Sequence, residues 1–162
     1  VINTAAEKAG WGTPLPAGHA RGFAYVESYG SLCAQVAEVS LENGHPRVHR
    51  VVVALDCGSQ VLPDGVRSQI EGGVIQGLST AMGEKIIVAN GRAQNTNFDG
   101  YPVLRTDEAP TRIEAHVIES GERMGGVGEP PVPPITPAVA NAVSALLGRR
   151  VRKLPLSDGM RA

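Results

Sequence analysis

Three strand-like segments follow one another in GFAYVESYGSLCAQVAEVSLENGHPRVHRVVVALDCG, residues 22–58. Apolar and polar residues alternate imperfectly in the first two segments, and the third, with its VVVAL run, is typical of a largely buried strand. Asn43 and Gly44 precede the third segment and suit a tight turn with positive φ. The stretch therefore predicts three strands, with a turn before the last.

A helix is predicted after these strands. In PDGVRSQIEGGVIQGLSTAMGE, residues 63–84, apolar residues recur every four positions and form one stripe: Val66, Ile70, Val74, Leu78 and Met82. Gly72, Gly73 and Gly77 lie in the helix interior, where each glycine costs about 1 kcal/mol relative to alanine. We expect something to compensate this cost, such as a strand or a ligand pressed against the helix.

The rest of the chain adds strands and a second helix. KIIVANGRAQ predicts a hairpin with an Asn-Gly turn, and RIEAHVIES predicts a further strand. Thr136 is expected to cap a helix that begins at Pro137 and stops at Gly148. The sequence thus predicts an α+β fold with mixed or antiparallel strands and two main helices.

Composition limits the classes of partner and site. Lys and Arg number 15 against 16 Asp and Glu, and the formal net charge of -1 gives no general attraction to nucleic acid. The apolar run at 51–55 is far shorter than the roughly 20 residues of a membrane helix, so no membrane span is expected. Cys33 and Cys57 are too few for a four-thiolate cluster, and the histidines lack metal-ligand spacing. We expect no metal site made by this chain alone.

Residues 1–20 start in a helix-like pattern and then break at several glycines and prolines. We interpret them as a linker from a missing upstream region, and residues 21–162 as the C-terminal part of a domain. Because the chain begins at Val1 rather than Met, the lack of a targeting segment leaves the localisation open between cytoplasm and periplasm.

Glu129 is the first candidate for catalysis. It is the single acidic residue of GGVGEPPVPP, residues 125–134. The glycines let backbone N–H groups approach a ligand, while the prolines stiffen the loop and bias Glu129 toward an extended backbone. A carboxylate aimed into a water-poor pocket suits a general base; an exposed glutamate in a turn is the alternative.

Two other pairs of side chains are candidates for binding. Gln69 and Gln76 are seven residues apart, hence nearly on one face of the predicted helix, where their amides and the bare glycine backbone suit a flat polar ligand. Solvent-facing glutamines are the alternative. Phe98 and Tyr101 in NFDGYPVLR either wall a substrate cavity or belong to a small satellite core.

Taken together, QIEGGVIQGL, NFDGYPVLR and GGVGEPPVPPITPAVANA resemble the C-terminal part of the molybdenum-binding large subunit of the xanthine oxidase and aldehyde oxidase family. The chain most resembles the branch of the isoquinoline 1-oxidoreductase beta subunit, which includes membrane-associated aldehyde dehydrogenases, over about Gly10 to Leu156. The resemblance implies part of a molybdopterin-binding domain. It also implies an oxidoreductase that hydroxylates N-heterocycles or aldehydes and takes the oxygen from water.

The resemblance also implies residue roles. Glu129 occupies the position of the family's glutamate base, and Gln69 that of a glutamine that hydrogen-bonds the pterin, which is molybdopterin cytosine dinucleotide in most bacterial members. Weaker cofactor-binding candidates are Gln76, Gly126, Val127 and Gly128.

A family large subunit is several times longer than this chain, and most of its cofactor and substrate contacts lie upstream. We therefore expect the chain alone to be inactive. It would need the remainder of the large subunit and a small subunit with two 2Fe-2S clusters. A non-catalytic ligand-binding or assembly module with the same fold is the alternative.

Overall fold

The computed structural model describes residues 1–160 and contains a four-stranded sheet with two long helices against one face. Residues 161 and 162 of the predicted domain lie outside the described residues. In chain order the elements are α1 (Ile2–Ala9), β1 (His19–Ser28), β2 (Ser31–Glu42), β3 (His45–Asp56), α2 (Pro63–Met82), β4 (Val88–Ala89), β5 (Arg92–Ala93), β6 (Arg112–Ile118), α3 (Val132–Leu147) and α4 (Leu156–Gly159). The predicted α+β class is confirmed.

The sheet has the strand order β1-β2-β3-β6. The first three strands pair antiparallel, as consecutive strands joined by short turns do, whereas β6 returns after α2 and pairs parallel with β3. Asn43 and Gly44 have φ values of 52° and 77°, as the turn prediction requires. Because β3 and β6 are parallel, their carboxyl ends meet at one edge of the sheet, and the loop that carries Glu129 starts there.

Both faces of β2 and β3 are covered, which explains why their sequences alternate so imperfectly. The long helices α2 and α3 cover one face, and Ile70 and Leu78 of α2 are fully buried there. Helix α1 packs on the other face through the buried Ala5 and Ala9. Residues 2–9 thus belong to the folded unit, although the sequence interpretation placed them in a linker. Their connection to an upstream region stays a prediction.

Helices α2 and α3 meet at two glycines of α2. A Cβ on Gly73 would lie 2.9 Å from Cβ of Pro131, and one on Gly77 would lie 2.5 Å from Cγ2 of Ile135. The sequence predicted that a strand or a ligand would pack here and compensate the unfavourable helix propensity of these glycines. In the structure, helix α3 and the residue before it occupy this place. At Gly72, by contrast, a Cβ would meet no atom within 4 Å, so this residue faces open surface.

Helix α3 begins at Val132, earlier than the predicted cap at Thr136. Pro133 and Pro134 fit the first turn because N–H groups at the start of a helix have no partner within the helix. The Thr136 hydroxyl instead donates to a carbonyl of α2 at 3.2 Å. Gly148 ends the helix with φ of 65°, as the sequence predicted.

Within residues 1–160, no helix combines the length and the apolar character that crossing a membrane requires.

Candidate active site around Glu129 and Gln69

The loop between β6 and α3 carries Glu129 past the N-terminal half of α2, where Gln69 lies. The loop comes near Gln69 at Gly128: a Cβ on this glycine would lie 4.0 Å from Oε1 of Gln69. The residues Gln69 and Glu129 are both exposed. Packing thus brings the amide of Gln69 near the backbone of Gly128, the residue that precedes Glu129 in the chain.

On its N-terminal side, the loop is tied to the turn between β1 and β2. The Gly126 amide donates to the Tyr29 carbonyl at 2.8 Å, and the Gly126 carbonyl accepts from Oγ of Ser31 at 2.6 Å. The Gly125 amide donates to the Cys57 carbonyl at 2.9 Å. Side chains at these two glycines would collide with the turn, so the loop can lie this close only without them.

These bonds decide which loop amides a ligand can reach. The sequence interpretation predicted that the backbone amides of all the loop glycines could approach a ligand. The amides of Gly125 and Gly126, however, donate hydrogen bonds to carbonyls of the chain itself. The Gly128 amide has no hydrogen-bond partner among residues 1–160 and is therefore available. Val127 packs its side chain against the main core. The cofactor-binding roles of Gly126, Val127 and Gly128 stay predictions.

On its C-terminal side, the loop is held by Gln35 of β2. Nε2 of this fully buried residue donates to the Pro131 carbonyl at 2.7 Å. The Glu129 carbonyl accepts from the Val132 amide at 2.9 Å and closes a turn around Pro130 and Pro131. Sequence reasoning missed Gln35, although a glutamine among the apolar residues of β2 was a signal that could have found it.

Gln76 lies on the same exposed side of α2, about 10 Å farther along the helix axis than Gln69. Its backbone carbonyl accepts from the Thr80 hydroxyl at 3.3 Å, and its side chain is exposed. Gly72 lies between the two glutamines and is open to the surface. The structure therefore contains the exposed polar strip that the spacing of the glutamines predicted, and a ligand-binding role for Gln69 and Gln76 stays a prediction.

The structure does not bring Phe98 and Tyr101 to this surface. The Tyr101 hydroxyl donates to Glu84 at 2.9 Å, just beyond the end of α2 and about 20 Å along the helix axis from Gln69. This hydrogen bond raises the pKa of Tyr101. Phe98 is 91% exposed and is not part of a satellite core. A substrate role for either ring stays a prediction.

The cysteines do not form a second reactive site. Cys33 and Cys57 are both free and buried, and burial raises the pKa of Cys33 to about 12. Burial, with a smaller contribution from the charge of Asp56, also raises the pKa of Cys57. Both thiols therefore stay protonated near neutral pH and behave as small core side chains. Among residues 1–160, no group of three His, Cys, Asp or Glu side chains could hold a metal ion.

Comparison with known proteins shows the family. A family model described as molybdopterin cofactor-binding domain matches residues 3–110. The chain belongs to this family. The resemblance drawn from its motifs is thereby confirmed, and the match includes Gln69 and Gln76 of the polar strip. Glu129 lies outside the matched range, and its role as a base stays a prediction.

Two curated relatives and one solved structure illustrate the similarity of this molybdopterin cofactor-binding domain to longer enzymes. The beta subunit of isoquinoline 1-oxidoreductase from Brevundimonas diminuta is 37% identical over 99% of the chain and 21% of its own length. A nicotinate dehydrogenase subunit of Pseudomonas putida is 34% identical over 85% of the chain and 12% of its own length. The structure of aldehyde oxidoreductase from Desulfovibrio desulfuricans superposes with a TM-score of 0.73 at 26% identity, over 82% of the chain and 15% of that protein.

This molybdopterin cofactor-binding domain thus spans about a fifth or less of the length of the curated relatives that it matches.

Proposed function

We propose that this molybdopterin cofactor-binding domain is the C-terminal part of a molybdenum hydroxylase that oxidises N-heterocycles or aldehydes with oxygen from water. Glu129 acts as the general base, and Gln69 binds the pterin. The observation that carries the proposal is the approach of the Glu129 loop to Gln69 through Gly128. Relatives named for isoquinoline and nicotinate, and a structure named for aldehyde oxidation, support both substrate classes.

The residues on this surface fit the cofactor. A pterin edge presents both hydrogen-bond donors and acceptors, and the amide of Gln69 can satisfy either kind. The available amide of Gly128 adds a donor, and Gly72 leaves bare backbone against which a flat group can lie. We infer that the cofactor is molybdopterin cytosine dinucleotide. When bound, it supplies the oxygen-transfer and redox chemistry.

The chain's own contribution to the chemistry is proton transfer by Glu129. Its carboxylate would accept the proton that the water-derived hydroxyl loses as its oxygen bonds to the substrate carbon, while the two electrons of the C–H bond that breaks would pass to the cofactor. In the isolated chain Glu129 is exposed, and bulk water would compete for this proton. We infer that the remainder of the large subunit covers Glu129 and excludes water, and that a small subunit with 2Fe-2S clusters receives the electrons.

The experiment is Glu129→Gln in the complete enzyme. This substitution preserves size and removes the basic carboxylate, so we expect kcat to fall by about 10²- to 10⁴-fold. The molybdenum content should stay normal, because the substitution removes no pterin contact.

Glu122→Gln is the matched control. Glu122 is an exposed glutamate of the same loop whose backbone carbonyl, rather than its side chain, accepts a hydrogen bond from the Ser59 amide at 3.3 Å. Its variant should turn over at the wild-type rate. Near-wild-type turnover of Glu129→Gln would instead favour a non-catalytic binding or assembly module with the same fold.

A further inference from the structure

Gln35 is a fully buried amide in the apolar layer between the sheet and the long helices. It pairs with Val53 of β3 across the ladder, and its Nε2 donates to the Pro131 carbonyl at 2.7 Å. A longer contact of 3.8 Å joins Nε2 to Sγ of Cys33, and Oε1 has no hydrogen-bond partner among residues 1–160. The amide therefore makes one strong bond, and that bond is to the Glu129 loop.

Core stability does not account for an amide at this position. A buried polar oxygen without a partner is unfavourable, and an unbranched apolar side chain of similar size would fill the same space without that cost. What the amide of Gln35 adds is a directed hydrogen bond. Because β2 is an interior strand of the sheet, the donor of this bond is held rigidly.

The prolines of the loop make this bond important for Glu129. Residues 130–134 contain four prolines, so Val132 supplies the single backbone donor there, and it bonds to the Glu129 carbonyl. On the other side of Glu129, Ser31 holds the loop through the Gly126 carbonyl. Two side chains of β2, four residues apart, therefore hold the loop on both sides of Glu129.

We propose that Gln35 is a positioning residue that fixes the direction of the Glu129 carboxylate through the Pro131 carbonyl. The inference rests on the proposed function, because it requires Glu129 to be the base. Gln35 touches neither substrate nor cofactor, and a small displacement of the base is enough to lower the rate of proton transfer.

The test compares Q35M with V53A in the complete enzyme. Q35M removes the donor but keeps an unbranched side chain, whereas V53A weakens the same core layer and leaves the Gln35 donor in place. We expect Q35M to lower kcat by at least about 10-fold while KM and molybdenum content change by less than about two-fold. V53A should keep kcat within about two-fold of wild type. Hydrogen exchange of the Val132 amide should become faster in Q35M but not in V53A.

Q35E tests rescue of the lost hydrogen bond. Burial raises the pKa of a carboxyl group, so the Q35E side chain stays protonated and keeps a donor for the Pro131 carbonyl. The kcat of Q35E should exceed that of Q35M. If Q35M does not fold, the kcat of Q35E should instead exceed about one-tenth of the wild-type value. A Q35E kcat below the applicable threshold at normal molybdenum content would overturn the positioning role, as would equal kcat in Q35M and V53A.

Glu129→Gln, measured in parallel, separates the two proposals. Wild-type turnover in that variant means that the proposed function fails, whatever Gln35 does. An inactive Glu129→Gln together with a normal Q35M refutes the role of Gln35 alone.

Discussion

Replacing Gly77 by alanine should loosen the contact between α2 and α3 that places the Glu129 loop beside Gln69. The new Cβ would overlap the Val132 carbonyl oxygen and lie 2.5 Å from Cγ2 of Ile135. A backbone oxygen cannot rotate away, so the helices must move apart, at an overpacking cost of about 3 kcal/mol. The better helix propensity of alanine returns about 1 kcal/mol, which leaves a net loss of about 2 kcal/mol. The melting temperature should fall by about 4–8 °C.

Urea unfolding followed by far-UV circular dichroism measures this loss. Gly72→Ala is the matched control, because Gly72 lies in the same helix and a Cβ there meets no atom within 4 Å. This control should gain up to about 1 kcal/mol from helix propensity. If Gly77→Ala unfolds at the same urea concentration as wild type or higher, α2 and α3 are not in contact at Gly77. The placement of Glu129 beside Gln69 would then lose its support.

Three further predictions concern the cofactor, an ion pair and a buried thiol. Gln69→Ala in the complete enzyme should lower the molybdenum content and the amount of CMP released from the cofactor more than Gln76→Ala does, because Gln69 is the glutamine that lies near the loop. Equal cofactor retention in the two variants would remove the role assigned to Gln69. The hydrogen bond from Arg50 holds the pKa of Glu114 below its ordinary value of 4.5, so this carboxylate stabilises the fold above that pH and the stabilisation is lost as the pH falls below it. Glu114→Gln should therefore lower the free energy of unfolding by about 1 kcal/mol at pH 7, with a difference from wild type that disappears in acid; a difference independent of pH would contradict this. Cys33 in the native chain should react with Ellman's reagent at pH 8 at least about 100-fold more slowly than in the urea-unfolded chain, and rapid labelling would show that the core opens.

Local patterns in the sequence predicted most of the elements because each depends on neighbouring residues. The four-residue spacing of apolar side chains gave α2, and the Asn-Gly pair at 43 and 44 gave the turn between β2 and β3. The start of α3 was placed too late, since prolines were interpreted as loop residues although the first helical turn tolerates them. The first helix was taken for a linker, since its few apolar residues gave no sign of the sheet face that buries Ala5 and Ala9.

The site was partly predictable for the same reason. Glu129 and Gln69 stand in recognisable motifs, so each was found separately, but their approach through Gly128 depends on how α2 packs against α3. Gln35 could not be connected to the Glu129 loop from the sequence, because the two are far apart along the chain and are joined only by a bond from the Gln35 side chain to the backbone carbonyl of Pro131.

By itself the sequence determined most of the elements, the family and the identity of the candidate base, because periodicity, turn residues and motifs are properties of short stretches of chain. Only the tertiary structure decided which of these stretches contact one another. It tied the amides of Gly125 and Gly126 to the chain's own carbonyls, left that of Gly128 available, and attached the Glu129 loop to β2. The physical reason is that hydrogen bonds and close helix contacts between distant residues form only when the whole core is packed.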